Sequence, residues 1–521
     1  MAFFELTSVE VKNRDGKWMN LYQAETFGGI DADTDKLLEE CFEDHPAYEK
    51  AKDHSKFLII GRKGSGKTAI YRKLISLKAY DTFSLGFDFS DYPWQHHEKQ
   101  KAIGVPEEDA YLHAWKYLIL ISMAKVLLNQ DHSQPCSEFA EENLSKIERF
   151  IIDSYGTRNP DVTQIFSPAR RLKFTGGVSL LFNAANLNFG AESVDMDYLP
   201  KIIQEINKNL LEAIIGSLNG KLHYYLCFDQ LDLGFNKEES GYSQRLIGLI
   251  LAARDFNIRA ERASKKASVV VFLRDDIYDI LRFEDKNKIT QTFCSRIAWD
   301  KDGSVSLRQL MEKRFSTILG DGKPVDWGAV FDEEEKMRGK QKKYNHIVDR
   351  TYMRPRDMIK FCNEILITYK RNKERGAKFS NKDIGGARGA YSNYFYQELR
   401  DEIFKHMPQF EVYFEVLKGL SSLQFTANDF EQAWEDRRLI TPAGVSFITA
   451  LKQLFEFSVI GYYAPGGNMG GASYVWKFKD SQALFNEASI QFRVHLGLQE
   501  YLGLKKYTKS GSEADFDDVF E

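Results

Sequence analysis

Gly61-Arg62-Lys63-Gly64-Ser65-Gly66-Lys67-Thr68 is the stretch whose residue types and spacing most directly support chemistry. It reads G-x-x-x-x-G-K-T, a pattern that cradles a polyphosphate. The apolar run Lys56-Phe57-Leu58-Ile59-Ile60 before it predicts a buried strand. After it, Ile70, Leu74 and Ile75 share one face of an expected helix. Strand, glycine turn and helix start would gather backbone N–H groups and a positive helix end at one point. Gly64 and Gly66 permit the tight turn. Lys67 is expected at the β- and γ-phosphates and the Thr68 hydroxyl at Mg²⁺. Gly61 through Ala69 is thus the expected cradle, with ATP and Mg²⁺ as its ligands. An ordinary Gly-Ser loop is the alternative, but four fixed positions match a chain of this length by chance only about once or twice in a hundred.

A second carboxylate is needed opposite the cradle. Tyr224-Tyr225-Leu226-Cys227-Phe228-Asp229 is an apolar run ending in an acid, as a buried parallel strand presents a carboxylate at its C-terminal edge. Asp229 is expected to hold Mg²⁺ together with Thr68. The next residue is Gln230, which can orient water but is a poor base; Asp232 is the nearest other acid. Either these two act on the attacking water or they only cap the strand end, and slow hydrolysis is predicted in both cases. Val269–Leu273 is another buried strand, ending in Arg274. Its guanidinium would meet the γ-phosphate or attacking water, or else pair with Asp275 or Asp276. Arg354-Pro355-Arg356-Asp357 opens a helix. Arg354 or Arg356 would either carry a cation from a lid to the γ-phosphate or form a surface pair on a proline-started helix. Arg296 and Arg314 are further candidates for a finger acting on a neighbouring subunit. Lys336–Lys343 and Lys370–Arg375 are basic runs that suit a solvated face or a nucleic acid. His96-His97 has no suitably spaced partners for a metal.

These residues need a scaffold, and 521 residues are enough for three or four domains. The expected fold class is α/β: a P-loop NTPase with a doubly wound parallel sheet, then a helical lid and a C-terminal winged-helix-like domain. Residues 1–30 read as an extension and 31–302 as the nucleotide domain. Within the latter, 31–42 is expected to be helical and 171–192 a possible β-hairpin insertion. Residues 303–400 carry helical signals only. Residues 401–505 combine helices near 409–420 and 447–457 with strands flanking the Gly-rich turn Pro465–Gly471. Residues 506–521 form an acidic tail. A net charge of −4 argues against coating nucleic acid through bulk charge. Five scattered cysteines without a C-x-x-C pair indicate neither zinc nor disulfides. No signal-peptide pattern opens the chain, and the apolar run near 117–128 reads as too short to span a membrane. A cytoplasmic location without membrane contact is expected.

FLIIGRKGSGKTAI (57–70), CFDQLD (227–232), FLRDDI (272–277), RPRDMI (354–359) and VHLGL (494–498) occur in that order. This set resembles bacterial P-loop ATPases of the STAND/KAP-like group, some encoded among antiphage defence genes. The plan is also similar to origin-recognition ATPases of the AAA+ superfamily. The resemblance implies Lys67 and Thr68 at phosphate and Mg²⁺, Asp229 at Mg²⁺, Arg274 as sensor 1, and Arg354 or Arg356 as sensor 2. STAND proteins usually carry a second acid where Gln230 stands. The reading that follows is an ATP-dependent switch, a homo-oligomer acting with a separate effector protein. The alternative is an ATP-dependent protein that reads duplex DNA with its winged helix. Against that, the candidate recognition helix 447–457 offers only Lys452, and the wing turn has no basic residue.

Overall fold

The computed structural model describes residues 11–12, 18–19, 21–77, 79–88, 107–166, 199–232, 240–301, 303, 305–320, 323–404, 406–407, 409–466 and 473–505. The expected hairpin at 171–192, His96-His97, most of the wing turn and the acidic tail lie outside them. The chain divides into two compact units, residues 44–297 and residues 1–43 with 298–521.

The first unit is a five-stranded, wholly parallel sheet. Its strands are β1 (Leu58–Gly61), β2 (Thr82–Asp88), β3 (His223–Asp229), β4 (Lys266–Arg274) and β5 (Cys294–Arg296), in spatial order β2-β3-β4-β1-β5. The helices before and between them are α1 (Pro46–Lys52), α2 (Lys67–Ile75), α3 (Glu107–Asn129), α4 (Glu138–Tyr155), α5 (Leu199–Ser217), α6 (Ser240–Arg262), α7 (Asp275–Ile280) and α8 (Lys286–Phe293), with a short helical turn at Val162–Phe166. Parallel strands buried on both faces explain the unbroken apolar runs: β1, β3 and β4 are buried almost throughout. This is a P-loop NTPase-like architecture.

One expectation about α3 changes. Its apolar stretch, Tyr111–Asn129, is 19 residues long, enough by length and composition to cross a membrane. Here it is the unit's core helix. Trp115 and Leu118 are fully buried, and Trp115 Nε1 donates to the Arg245 carbonyl at 2.8 Å. Charged Lys116 faces outward to Asp255 at 2.8 Å, which gives the helix one polar strip.

The amino edge of the sheet carries a histidine pair. His54 Nε2 lies 3.0 Å from His223 Nδ1, and His54 Nδ1 lies 2.6 Å from Ser268 Oγ. Burial, then the His223 ring, push His54 down to about 4. The folded state therefore holds His54 neutral, and its contribution is complete above the ordinary histidine range. That contribution is lost as pH falls from about 6.5 towards 4, and the shift corresponds to about 3 kcal/mol at most. His54 sits at φ +65°, which asparagine tolerates. In His54→Asn the difference in unfolding free energy between pH 7 and pH 4.5 should shrink by about 2 kcal/mol, the part of the shift that falls in that window. An unchanged difference in urea titrations would refute the assignment.

In the second unit, α9 (Leu307–Leu319), α10 (Pro355–Arg371) and α11 (Asn381–Ile403) are the long helices of 298–404. Phe361 of α10 stacks on Tyr391 of α11 at 4.2 Å. A capping box of Ser380 and Asp383 starts α11. After these come α12 (Phe410–Lys418), α13 (Ala427–Glu435) and α14 (Phe447–Glu456), with strands β6 (Gln424–Phe425), β7 (Ile460–Ala464), β8 (Ser473–Val475) and β9 (Phe492–Val494). The strands form an antiparallel sheet in the order β8-β7-β9-β6.

Residues 31–42 are consecutive turns rather than the expected helix. The cause is Asp35, whose Oδ1 accepts from Gly29 N at 2.9 Å and Leu37 N at 3.2 Å. Its Oδ2 accepts from Arg314 Nη2 at 2.6 Å, and both side chains are buried. Two i→i+4 bonds remain, Asp35 N to Asp31 O and Cys41 N to Leu37 O, both at 2.9 Å, but they do not join into a continuous helix. Residues 31–43 fall in the second unit instead of the nucleotide domain.

Candidate functional site

The cradle forms where β1 gives way to α2. Gly64 sits at φ +79° and Gly66, the helix N-cap, at φ +104°. Both lie in the region that favours glycine. Ser65 N donates to Arg62 O at 3.1 Å and closes the turn. A side chain on Gly61 would come within 2.4 Å of Ser65 Oγ. Ala69 lies in the first turn of α2.

Lys67 folds its ammonium back onto the loop, donating to Gly61 O at 2.8 Å and Arg62 O at 3.0 Å. Burial lowers its pKa, while Asp232, Asp229 and Asp275 act in the opposite direction. Asp229 ends β3 at 2% exposure. Burial pushes its carboxyl up to about 6, against the Gln230 N–H, the Thr68 hydroxyl and Lys67. Asp229 Oδ2 is buried without a hydrogen-bond partner. An orphan carboxylate oxygen beside a hydroxyl is a fit for Mg²⁺, which needs few protein ligands because it keeps waters and takes phosphate oxygens. Thr68 and Asp229 would hold the ion.

Gln230 follows in the left-handed region, at φ +56°. A non-glycine residue there marks strain that the surroundings must hold in place. The turn leads through buried Leu231, whose carbonyl accepts from the Tyr242 hydroxyl. Asp232 accepts from Arg274 Nη1 at 3.2 Å.

Arg274 lies beside Gly61 in the sheet register, between the cradle strand and the Asp229 strand. Of the sequence alternatives, the structure contains the ion pair with Asp276: Nε to Oδ1 at 3.0 Å and Nη2 to Oδ2 at 2.6 Å. With Asp232 this makes a three-bond clamp on a side chain only 4% exposed. Lys67, Thr68, Asp229, Asp232 and Arg274 are therefore gathered at one carboxyl edge. The sequence named Asp275 and Asp276 as alternative partners for Arg274, and the structure holds the pair with Asp276. Tyr242 had no sequence signal.

Arg354 and Arg356 belong to the second unit. Arg354 donates to Asp357 Oδ2 at 2.9 Å, Asp357 Oδ1 at 3.0 Å and Glu402 Oε2 at 3.3 Å. It is 2% exposed, so it is not half of a surface pair. Arg356 donates to Ile30 O at 3.0 Å and Glu398 Oε2 at 3.1 Å. Arg296 pairs with Asp279 at 3.1 Å. Arg314 is committed to Asp35 and the Phe27 carbonyl. In the basic run 336–343, Lys343 is fully buried and bonds the Asp332 and Glu335 carbonyls, so it belongs to neither a solvated nor a nucleic-acid face.

Comparison with known proteins adds a local match. Residues 305–400 match the family described as the FunZ-associated C-terminal helical domain. That span holds α9, α10 and all but the last three residues of α11. No curated protein matches the chain. Among solved structures, the chain is similar to the Aeropyrum pernix ORC1 protein in complex with DNA. The identity is 10% and the TM-score 0.33, over 91% of this chain and 94% of that one.

Proposed function

We propose that the chain is an ATP-binding, slowly hydrolysing molecular switch. The observation that carries this reading is the buried, unpartnered Asp229 oxygen next to Thr68, with Lys67 held on the neighbouring cradle. Gln230, in place of an acid, supports slow turnover. Lys67 and Arg274 both have protein partners that a triphosphate would displace. Binding would then change the contacts of both residues at the sheet edge. Of the two arginines that open α10, Arg356 has the more exposed side chain, 21% against 2% for Arg354.

The finer parts of the proposal are a homo-oligomer, a winged-helix-like C-terminal region and a separate effector in antiphage defence. The succession α12, β6, α13, α14 and the β7–β8 hairpin supports the winged helix. The defence setting rests on the sequence resemblance.

Asp229→Asn is the direct test. It removes the buried charge, so the nucleotide-free chain should gain stability, by up to about 1–3 kcal/mol at pH 8. Mg²⁺-dependent ATP turnover should meanwhile fall about 100-fold or more, as expected when a group stabilising transition-state charge is lost. Turnover within threefold of the parent chain would reject the site. Mass measurement with and without ATP tests the oligomer.

A further inference from the structure

A second group of charges lies in the second unit, apart from the nucleotide cradle's residues. Arg350 follows the short helix Lys343–Val348 and is 5% exposed. Its Nη1 donates to His346 O at 3.1 Å, while its Nε is buried without a partner. Arg388 on α11 and Arg493 on β9 both act on it electrostatically. Arg493 Nε is likewise buried and unpartnered, its guanidinium 5.5 Å from the Tyr474 ring centre. Arg388 Nε lies 2.7 Å from Glu500 Oε1. Lys301 and Lys479 extend the group.

The local acids do not balance these cations. Asp349 is already bound by Lys301 at 3.2 Å and by Gln341 Nε2 at 2.6 Å, and Glu500 pairs with Arg388. Around Arg350 these two carboxylates stand against Arg388 and Arg493, and around Lys479 Asp349 stands against Lys301 and Arg493. The backbone of Arg350 is fixed in place. Its carbonyl accepts from the Tyr391 hydroxyl at 3.2 Å, and a side chain at Gly497 would come within 2.5 Å of it. A buried guanidinium is normally paired through several of its five donors. One held rigidly with an idle donor, beside two other arginines, matches the requirements of a tetrahedral oxyanion.

We propose that Arg350, Arg388 and Arg493 form a second phosphate site, which takes one phosphoryl group from a free nucleotide or from a nucleic-acid backbone. This assignment does not depend on the cradle at Lys67.

The test uses the full chain carrying Lys67→Ala, which silences the cradle, titrated with inorganic phosphate and pyrophosphate. Thermal unfolding and calorimetry should show one saturable site. Adding Arg388→Gln and Arg493→Gln should weaken it about tenfold or more, as loss of charge-assisted bonds requires. Arg350→Lys, which keeps the charge but loses the planar fork, should weaken it to a smaller extent and guards against misfolding of the double variant. Displacement of pyrophosphate by ADP assigns the phosphoryl group to a nucleotide. Displacement by a short duplex, with strong salt dependence, assigns it to a nucleic-acid backbone. No saturable binding, or binding unchanged by the arginine substitutions, overturns the proposal.

Discussion

Lys67→Ala is expected to weaken ATP binding by about 100- to 10,000-fold in calorimetry, since two bonds from a charged donor are worth roughly 3–6 kcal/mol together. Lys67 already donates to two carbonyls, Gly61 O and Arg62 O, inside a buried loop. Phosphate oxygens would replace those carbonyls as acceptors, and they bear full negative charge. Alanine leaves the phosphates without that cation, while Gly64 and Gly66 still shape the turn. The variant should therefore keep its circular dichroism spectrum and unfolding temperature close to the parent's. Binding retained within threefold in a folded variant would remove the basis for the whole functional reading.

Arg354→Met should be the most damaging single substitution in the second unit. It leaves the carboxylates of Asp357 and Glu402 in the interior, at 0% and 3% exposure, without their shared cation. Removing one partner of a buried pair costs about 3–5 kcal/mol, because the remaining charge is uncompensated. Asp357 Oδ2 also accepts from Tyr352 N at 3.0 Å, so the disturbance reaches the turn before α10. Arg356→Gln provides the contrast: a partly exposed pair is worth about 1 kcal/mol or less. Urea titration of both variants separates the two roles. A loss below about 1 kcal/mol in Arg354→Met would show that the ion pair is not what holds this region.

The cradle was legible in the sequence because its requirements are local. An apolar strand, glycines at the two left-handed positions and a helix-forming run lie within twenty residues. Asp229 was legible for a similar reason, as the acid that closes a buried run. The fate of Arg274 was not. Adjacent Asp275 and Asp276 were visible as partners, but Asp232 is 42 positions away and only the sheet order brings it near. Arg354 misled for the opposite reason. Proline at the next position suggested an exposed helix start, while the acid that buries it, Glu402, lies 48 residues later. The stripe of Leu37, Leu38 and Phe42 has helical spacing, yet the Asp35 side chain takes the Leu37 N–H and the segment stays as turns. Strands as short as β6 and β9 carry too few residues to show any alternation.

The contacts of the segment around Phe27 bear on the order of events at the ribosome. Phe27 N donates to Asn363 Oδ1 across 336 positions, and its carbonyl accepts from Arg314 across 287. At translation rates of about 5–20 residues per second, the partner for the first bond emerges roughly 17 to 67 seconds after Phe27 does. The whole sheet unit can be synthesised and closed in that interval. Until Phe315 and Phe379 have been made, the apolar ring of Phe27 lacks the two rings it packs against in the finished protein.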